Sequence, residues 1–207
     1  MGKPRIVARI VLALLAGALI APGSAQAQFS KSYKFLEAVR KKEGGAVTDA
    51  LDEPGSNIVN TRDSTTGETG LHIVTARRDM TWMSFLIGKG ANIDARDGRG
   101  ATALQIAVNL GFQEGVSLLI DHKVRLEEPN TAGETPLISA VHRRDIAIMR
   151  LLLKAGADPD RADNSGRSAR DYALLDGKSS VLISEIESGA KPKGLRSGPQ
   201  RTYGPAL

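Results

Sequence analysis

Gly67, Gly100, Gly133 and Gly166 stand 33 residues apart, three intervals in a row. Other columns share the period. Two positions after each glycine come Thr69, Thr102, Thr135 and Ser168, all small hydroxyls. Seven positions after lie Val74, Ala107, Ala140 and Ala173, all apolar and mostly small, and at plus 23 stand Gly90, Lys123, Gly156 and Gly189. Four coincident columns at one spacing describe a chain of repeated units. Each such unit cannot bury its apolar face alone and must stack on its neighbours. Within a unit the residues read as two helices. A hydroxyl ahead of an apolar run accepts a backbone N–H as an N-cap, and Pro136 follows Thr135 where its missing N–H is harmless. Ile148, Leu151 and Leu152, at i, i+3 and i+4, make an apolar stripe on the second helix. The glycine at plus 23 can end that helix in a left-handed conformation. Aromatics are only 4% of the chain, so its core of Ala, Leu, Ile and Val suits thin, closely stacked helices.

Gly133-Glu134-Thr135-Pro136-Leu137-Ile138-Ser139-Ala140 closely resembles the opening G-x-T-P-L-H-x-A of an ankyrin repeat. Leu151 to Asp160 resembles the L-L-x-x-G-A-D-x-N ending. The unit from Gly67 to Asp94 keeps Leu71-His72 and closes on Gly90-Ala91-Asn92-Ile93-Asp94; the units from Gly100 and Gly166 are looser, the last placing Arg170 where Leu is usual. The resemblance covers roughly residues 63–190. It implies an all-α fold, an ankyrin-repeat solenoid of stacked helix-turn-helix pairs with β-turn fingers between them. It also implies that His72 hydrogen-bonds the finger backbone rather than a metal. Arg78 and Arg144 fall in the interhelix column where Gly is usual, and a left-handed non-Gly residue there costs about 1 kcal/mol. Lys123, standing for Gly at plus 23, adds a second irregularity.

The ends read differently. Residues 30–62 are expected to form a degenerate N-terminal capping repeat. Tyr33, Phe35, Leu36 and Val39 supply one apolar helix face, Ala46 to Leu51 a second helix, and Asn57-Ile58-Val59-Asn60 a repeat-like ending. Ala38 precedes Val74 by 36 residues, so the register is not strict; terminal repeats are commonly atypical because one face meets water. At the start, Lys3, Arg5 and Arg9 precede the apolar run Ile10–Ile20, then Pro22-Gly23 and the small-residue site Ala25-Gln26-Ala27. That order predicts a cleavable signal peptide over residues 1–27. Eleven apolar residues reach only about 16 Å into a ~30 Å hydrocarbon core, too little for a span. The expectation is an exported, periplasmic protein, with full secretion as the alternative and no stable membrane insertion after cleavage. Residues 191–207, rich in Gly and Pro with four cations, are expected to form a disordered basic tail.

Charge and chemistry then narrow function. The chain has 28 Lys and Arg against 23 Asp and Glu, but three of the cations lie in residues 1–27 and four in the tail. Residues 28–190 keep 21 against 23, which removes the electrostatic argument for nucleic acid. There is no Cys, and three His without i+4 pairing, so neither disulfides nor a metal site is expected. Gly177-Lys178-Ser179 resembles the end of a phosphate loop, but the required upstream Gly is Tyr172, and the tripeptide falls in an interhelix turn. No enzyme activity and no cofactor are expected.

The reading is a protein-interaction module, an adaptor or scaffold, acting as a monomer on another protein. An envelope-associated or host-directed role through the basic tail is the alternative, though four cations at ~1 kcal/mol each give weak attachment to anionic surfaces. In the ankyrin family the fingertips and inner helices form a concave gripping surface. Mapped onto this chain it takes in Glu68, Arg77, Arg96, Arg99, Asn109, Glu134, His142, Arg143 and Arg167. Five of these are Arg, whose planar fork pairs with carboxylates, so an acidic surface or peptide is the expected partner.

Overall fold

The computed structural model describes residues 23–177 and 180–196. The expected signal peptide lies outside the described residues up to position 22, as does the expected tail beyond 196. Among the described residues the chain forms ten α-helices arranged as five hairpins. They are α1 (Gly23–Lys41) with α2 (Gly44–Asp52), α3 (Gly70–Ala76) with α4 (Met80–Gly88), and α5 (Ala103–Asn109) with α6 (Gln113–Asp121). Then come α7 (Pro136–His142) with α8 (Ile146–Ala155), and α9 (Ala169–Leu175) with α10 (Val181–Gly189). The first helices pack in one row, α1 on α3 on α5 on α7 on α9, and the second helices α4, α6, α8 and α10 in another. This is the all-α solenoid that the 33-residue period predicts.

The columns explain the packing. Val74, Ala107, Ala140 and Ala173 are each fully buried, and so, three positions before the first three of them, are Leu71, Leu104 and Leu137. Burying a Leu side chain contributes about 1.5–3 kcal/mol, so this stripe is a principal source of cohesion between hairpins. The hydroxyl column caps the first helices: Thr102, Thr135 and Ser168 accept from the backbone N–H of Gln105, Ile138 and Asp171. In the first of these units Thr69 and His72 form a capping box, the Thr69 N–H donating to His72 Nδ1 at 3.1 Å. The second-helix stripe is wider than its sequence spacing suggests. Ile148 and Leu152 are buried as expected, but Leu151 is half-buried, and Met149 and Leu153 are fully covered because α8 has a neighbour on both sides.

The interhelix turns need a left-handed residue. Gly111 and Gly177 supply it cheaply, whereas Arg78 and Arg144 adopt φ of 55° and 54°, as the column predicts. Lys42 does the same at φ 61°, and Lys123 at φ 64° ends the second helix of its unit. Three of these strained cations reach one repeat further along. Lys42 Nζ meets Asp79 at 2.9 Å, the Arg78 guanidinium donates to the Leu110 carbonyl, and Arg144 pairs with Asp176.

The two ends of the array close differently. Residues 30–62 contain most of α1, all of α2 and a 3-10 turn at Ile58–Asn60. Phe35, Leu36 and Val39 enter the core, but Tyr33, expected on the same apolar face, is 64% exposed because it projects beyond the helix pair. At the other end α10 leaves Ser184, Glu187 and Ser188 exposed, so among the described residues the row of apolar contacts stops at this hairpin. Arg170, in the column where Leu is usual, pairs with Asp160 at 2.6 Å. The expected disordered tail is corrected at its start. Residues 191–196 form a turn with a 3-10 segment, Lys193–Leu195, held against the array by Arg196.

Candidate functional site

Between hairpins the chain projects as fingers, each built on one side chain at the turn's start. Asp63, Asp97, Asn130 and Asp163 hold this position. In each, an Oδ1 atom accepts two backbone N–H groups from its own loop: Thr65 and Thr66, Arg99 and Ala101, Ala132 and Glu134, Ser165 and Arg167. This column recurs at intervals of 34, 33 and 33 residues, a signal present in the sequence but one residue out of step with the strict glycine register. The fingers also bond to one another. Gly98 N donates to Thr66 O at 2.8 Å, and Asn164 N to Ala132 O at 3.2 Å.

The repeat glycines make that contact possible. Gly67 has φ 70°, and a Cβ there would sit 2.6 Å from Gly98 N; Gly133 has φ 82° and would place a Cβ 2.5 Å from Asn164 N. Side chains cannot occupy those gaps without separating the fingers.

Charges at the finger bases are turned inward. Hydrogen bonds from the Thr66 and Thr65 amides, with Arg40 at 2.7 Å, lower the Asp63 carboxyl to about 2. Burial pushes Asp163 up, but bonds from Ser165, Tyr172 and the Arg167 amide outweigh it and hold the group below the usual carboxylate range. Burial lowers His72, whose Nε2 lies 3.1 Å from Ala101 O in the next finger. With Nδ1 accepting the Thr69 N–H, the neutral ring donates through Nε2 and links helix cap to finger. That is the role the ankyrin resemblance implies for it.

The nine residues expected on the gripping surface separate into two groups. Arg77 is corrected: its guanidinium donates to Val39 O at 2.7 Å and Arg40 O at 3.2 Å, lies over the Trp82 ring at 5.8 Å, and so closes the C-terminus of α1. Arg96 is also engaged, through Nε and Nη2 on the Glu128 carboxylate. Glu68 accepts from Thr66 within its own finger, and Glu134 from Asn130. The rest face solvent. Arg99 is 85% exposed with only a 3.8 Å approach to Asp97. Asn109 and Arg143 are exposed at the ends of α5 and α7. His142 stands 3.3 Å from Glu134 and edge-on to Tyr172 at 4.3 Å, and Arg167 lies 6.0 Å above the same ring. Tyr172, which donates to Asp163 at 2.7 Å, belongs to this cluster and was not among the expected residues. Its position 39 residues after Gly133 has no periodic signal to mark it.

No group of three or more potential metal ligands occurs among the described residues, and none of their helices is long and apolar enough to cross a membrane. Gly177 is the left-handed residue of its turn, with φ 109°; Lys178 and Ser179 lie outside the described residues.

Stacked helix hairpins joined by bonded fingers define a helical-repeat solenoid. A family model for ankyrin repeats, in three copies, matches residues 35–130 and 71–163, together more than half of the chain. The chain belongs to the ankyrin-repeat family. The match begins inside the irregular first unit, which sequence spacing alone had set apart. Among similar proteins are the B-cell lymphoma 3 protein homolog of Mus musculus, 30% identical over 136 residues, covering 63% of this chain and 30% of that protein. The ANK repeat-containing protein nipk-1 of Caenorhabditis elegans is 29% identical over 167 residues, covering 73% and 26%. A putative ankyrin repeat-containing protein of Treponema pallidum (strain Nichols) is 36% identical over 91 residues, covering 44% and 30%. The chain spans less than a third of the length of each of these three relatives. Ankyrin repeats generally mediate protein–protein interaction and are typically non-enzymatic.

Proposed function

We propose that this chain is an exported adaptor whose finger face holds an acidic segment of another protein. One observation carries the partner's chemistry. The carboxylates at the finger bases bond inward to their own loops, while Arg99, Arg143 and Arg167 point outward beside Asn109 and Tyr172. This face therefore offers three outward arginines to a carboxylate, although the folded repeats as a whole carry slightly more acid than base. Arg and Tyr are the residue types that anchor interfaces, and Arg pairs with carboxylates through two parallel bonds. The N-terminal order of basic residues, apolar run and small-residue site supports a periplasmic location.

The test is affinity capture from a periplasmic fraction with the immobilised chain, followed by mass spectrometry. Arg99→Glu with Arg143→Glu should abolish capture of the specific partner while the helical circular-dichroism signal stays unchanged. Equal capture by the reversed-charge variant would sink the proposal.

A further inference from the structure

A second column runs along the base of the fingers. Asn60, Asp94 and Glu127 each offer a side-chain oxygen to a backbone amide of the following unit's post-helix loop. Asn92 N reaches Asn60 Oδ1 at 2.7 Å, Arg125 N reaches Asp94 Oδ1 at 2.9 Å, and Asp158 N reaches Glu127 Oε1 at 2.8 Å. The next member is Asp160, 33 residues after Glu127, and the register assigns it the amide of residue 191. It bonds something else. Asp160 Oδ2 accepts from Arg196 Nη1 at 2.6 Å, and the same nitrogen donates to Asp158 Oδ1 at 2.9 Å.

The rest of the segment is shaped around that contact. Leu195 N donates to Pro192 O at 2.8 Å and Arg196 Nε to Lys191 O at 2.7 Å, so residues 191–196 close into a small loop. Lys191 Nζ lies 3.4 Å from Ala155 O, a cation at the negative end of α8. Leu195 O crosses directly over Gly156, 3.4 Å from where a Cβ would stand. The Arg196 side chain is only 10% exposed, which is uncommon for Arg unless its charge is matched.

We infer that residues 191–196 are the C-terminal cap of the array, with the Arg196 guanidinium taking on Asp160 the place of a following repeat's backbone amide. The cap works where the helices cannot: α10 turns a polar face outward, and the loop after α8 would otherwise leave Asp158 and Asp160 side by side. Because Asp160 also holds Arg170 in the first turn of α9, the clasp joins the end of α8, the fourth finger and α9.

Native-state hydrogen exchange of the full chain tests this, since it reports local opening region by region. Arg196→Ala should raise exchange of the amides between Ala157 and Tyr172 at least fivefold and leave α3 to α6 unchanged. Arg201→Ala, which removes a tail cation from outside the cap, should match the parent chain. A rise below fivefold, an equal rise in Arg201→Ala, or a rise of the same size across α3 to α6 overturns the inference.

Discussion

Gly133 and Gly166 occupy the same column with nearly the same backbone, φ 82° and 81°, but different surroundings. A Cβ on Gly166 meets nothing within 4 Å, whereas one on Gly133 falls 2.5 Å from the backbone nitrogen of Asn164. The pair therefore separates two reasons for glycine. Gly166→Ala carries only the penalty of a left-handed Ala, about 1 kcal/mol. Gly133→Ala carries the same penalty and also pushes the fourth finger off the third. That displacement breaks the bonds from Asn164 N to Ala132 O and from Asn164 Nδ2 to Thr131 O, both 3.2 Å. At about 0.5–1.5 kcal/mol per bond, Gly133→Ala should be destabilised by about 2–4 kcal/mol. The unfolded-chain entropy that Ala removes is common to both variants and cancels in their difference. In urea unfolding followed by far-UV circular dichroism, an m-value of about 2 kcal/mol/M converts that difference into a midpoint gap of roughly 0.5–1.5 M. Midpoints agreeing within about 0.2 M would refute the claim that finger–finger contact, rather than backbone conformation alone, requires glycine at 133.

Two further predictions concern charge. Asp63 has a depressed native pKa, so its stabilisation is complete above its ordinary value near 4 and is lost as pH falls toward about 2. His72, lowered by burial, contributes stability that is present above about 6.5 and lost as pH falls below it. Asp63→Asn, which places in the first finger the residue type that Asn130 supplies in the third, should keep the fold at neutral pH and flatten the loss between pH 4 and 2 in acid titrations of stability. An unchanged acid profile would show that Asp63 does not govern it. Separately, Arg77→Ala should cost about 1.5–3 kcal/mol by removing charged bonds to the end of α1, and Arg99→Ala less than about 0.5 kcal/mol. Equal denaturation midpoints for the two variants would contradict their division into structural and outward-facing residues.

The repeat fold was legible because its demands are local. A cap at Thr135, a left-handed residue at 144 and a small residue at 140 are each required by the same stretch of backbone, so they return every 33 residues. The candidate face was legible only in part. Arg77 and Arg143 are equivalent by register, but one meets the carbonyls of Val39 and Arg40 while the other has no hydrogen-bonding partner for its side chain among the described residues. That difference arises because the irregular first unit ends α1 where Arg77 can reach it, and no property of Arg77 itself reports it. The pairing of Arg96 is hidden for a similar reason, since Glu128 lies one repeat away. The segment 191–196 has the composition of a linker, and only the ion pairs of Arg196 with Asp158 and Asp160 show why it folds back.

The inward bonds of Asp63, Asp97, Asn130 and Asp163 have a consequence for recognition. Each finger is tied to its own loop by two amides, and two of the junctions between fingers are tied by backbone bonds. The proposed binding surface is thus ordered before any partner arrives. Ordering side chains and loops at an interface opposes association by about 0.5–1.5 kcal/mol for each immobilised side chain. Here that loss falls mainly on the partner and on a few exposed arginines, so variants that loosen a finger should weaken binding through entropy without deleting a single intermolecular contact.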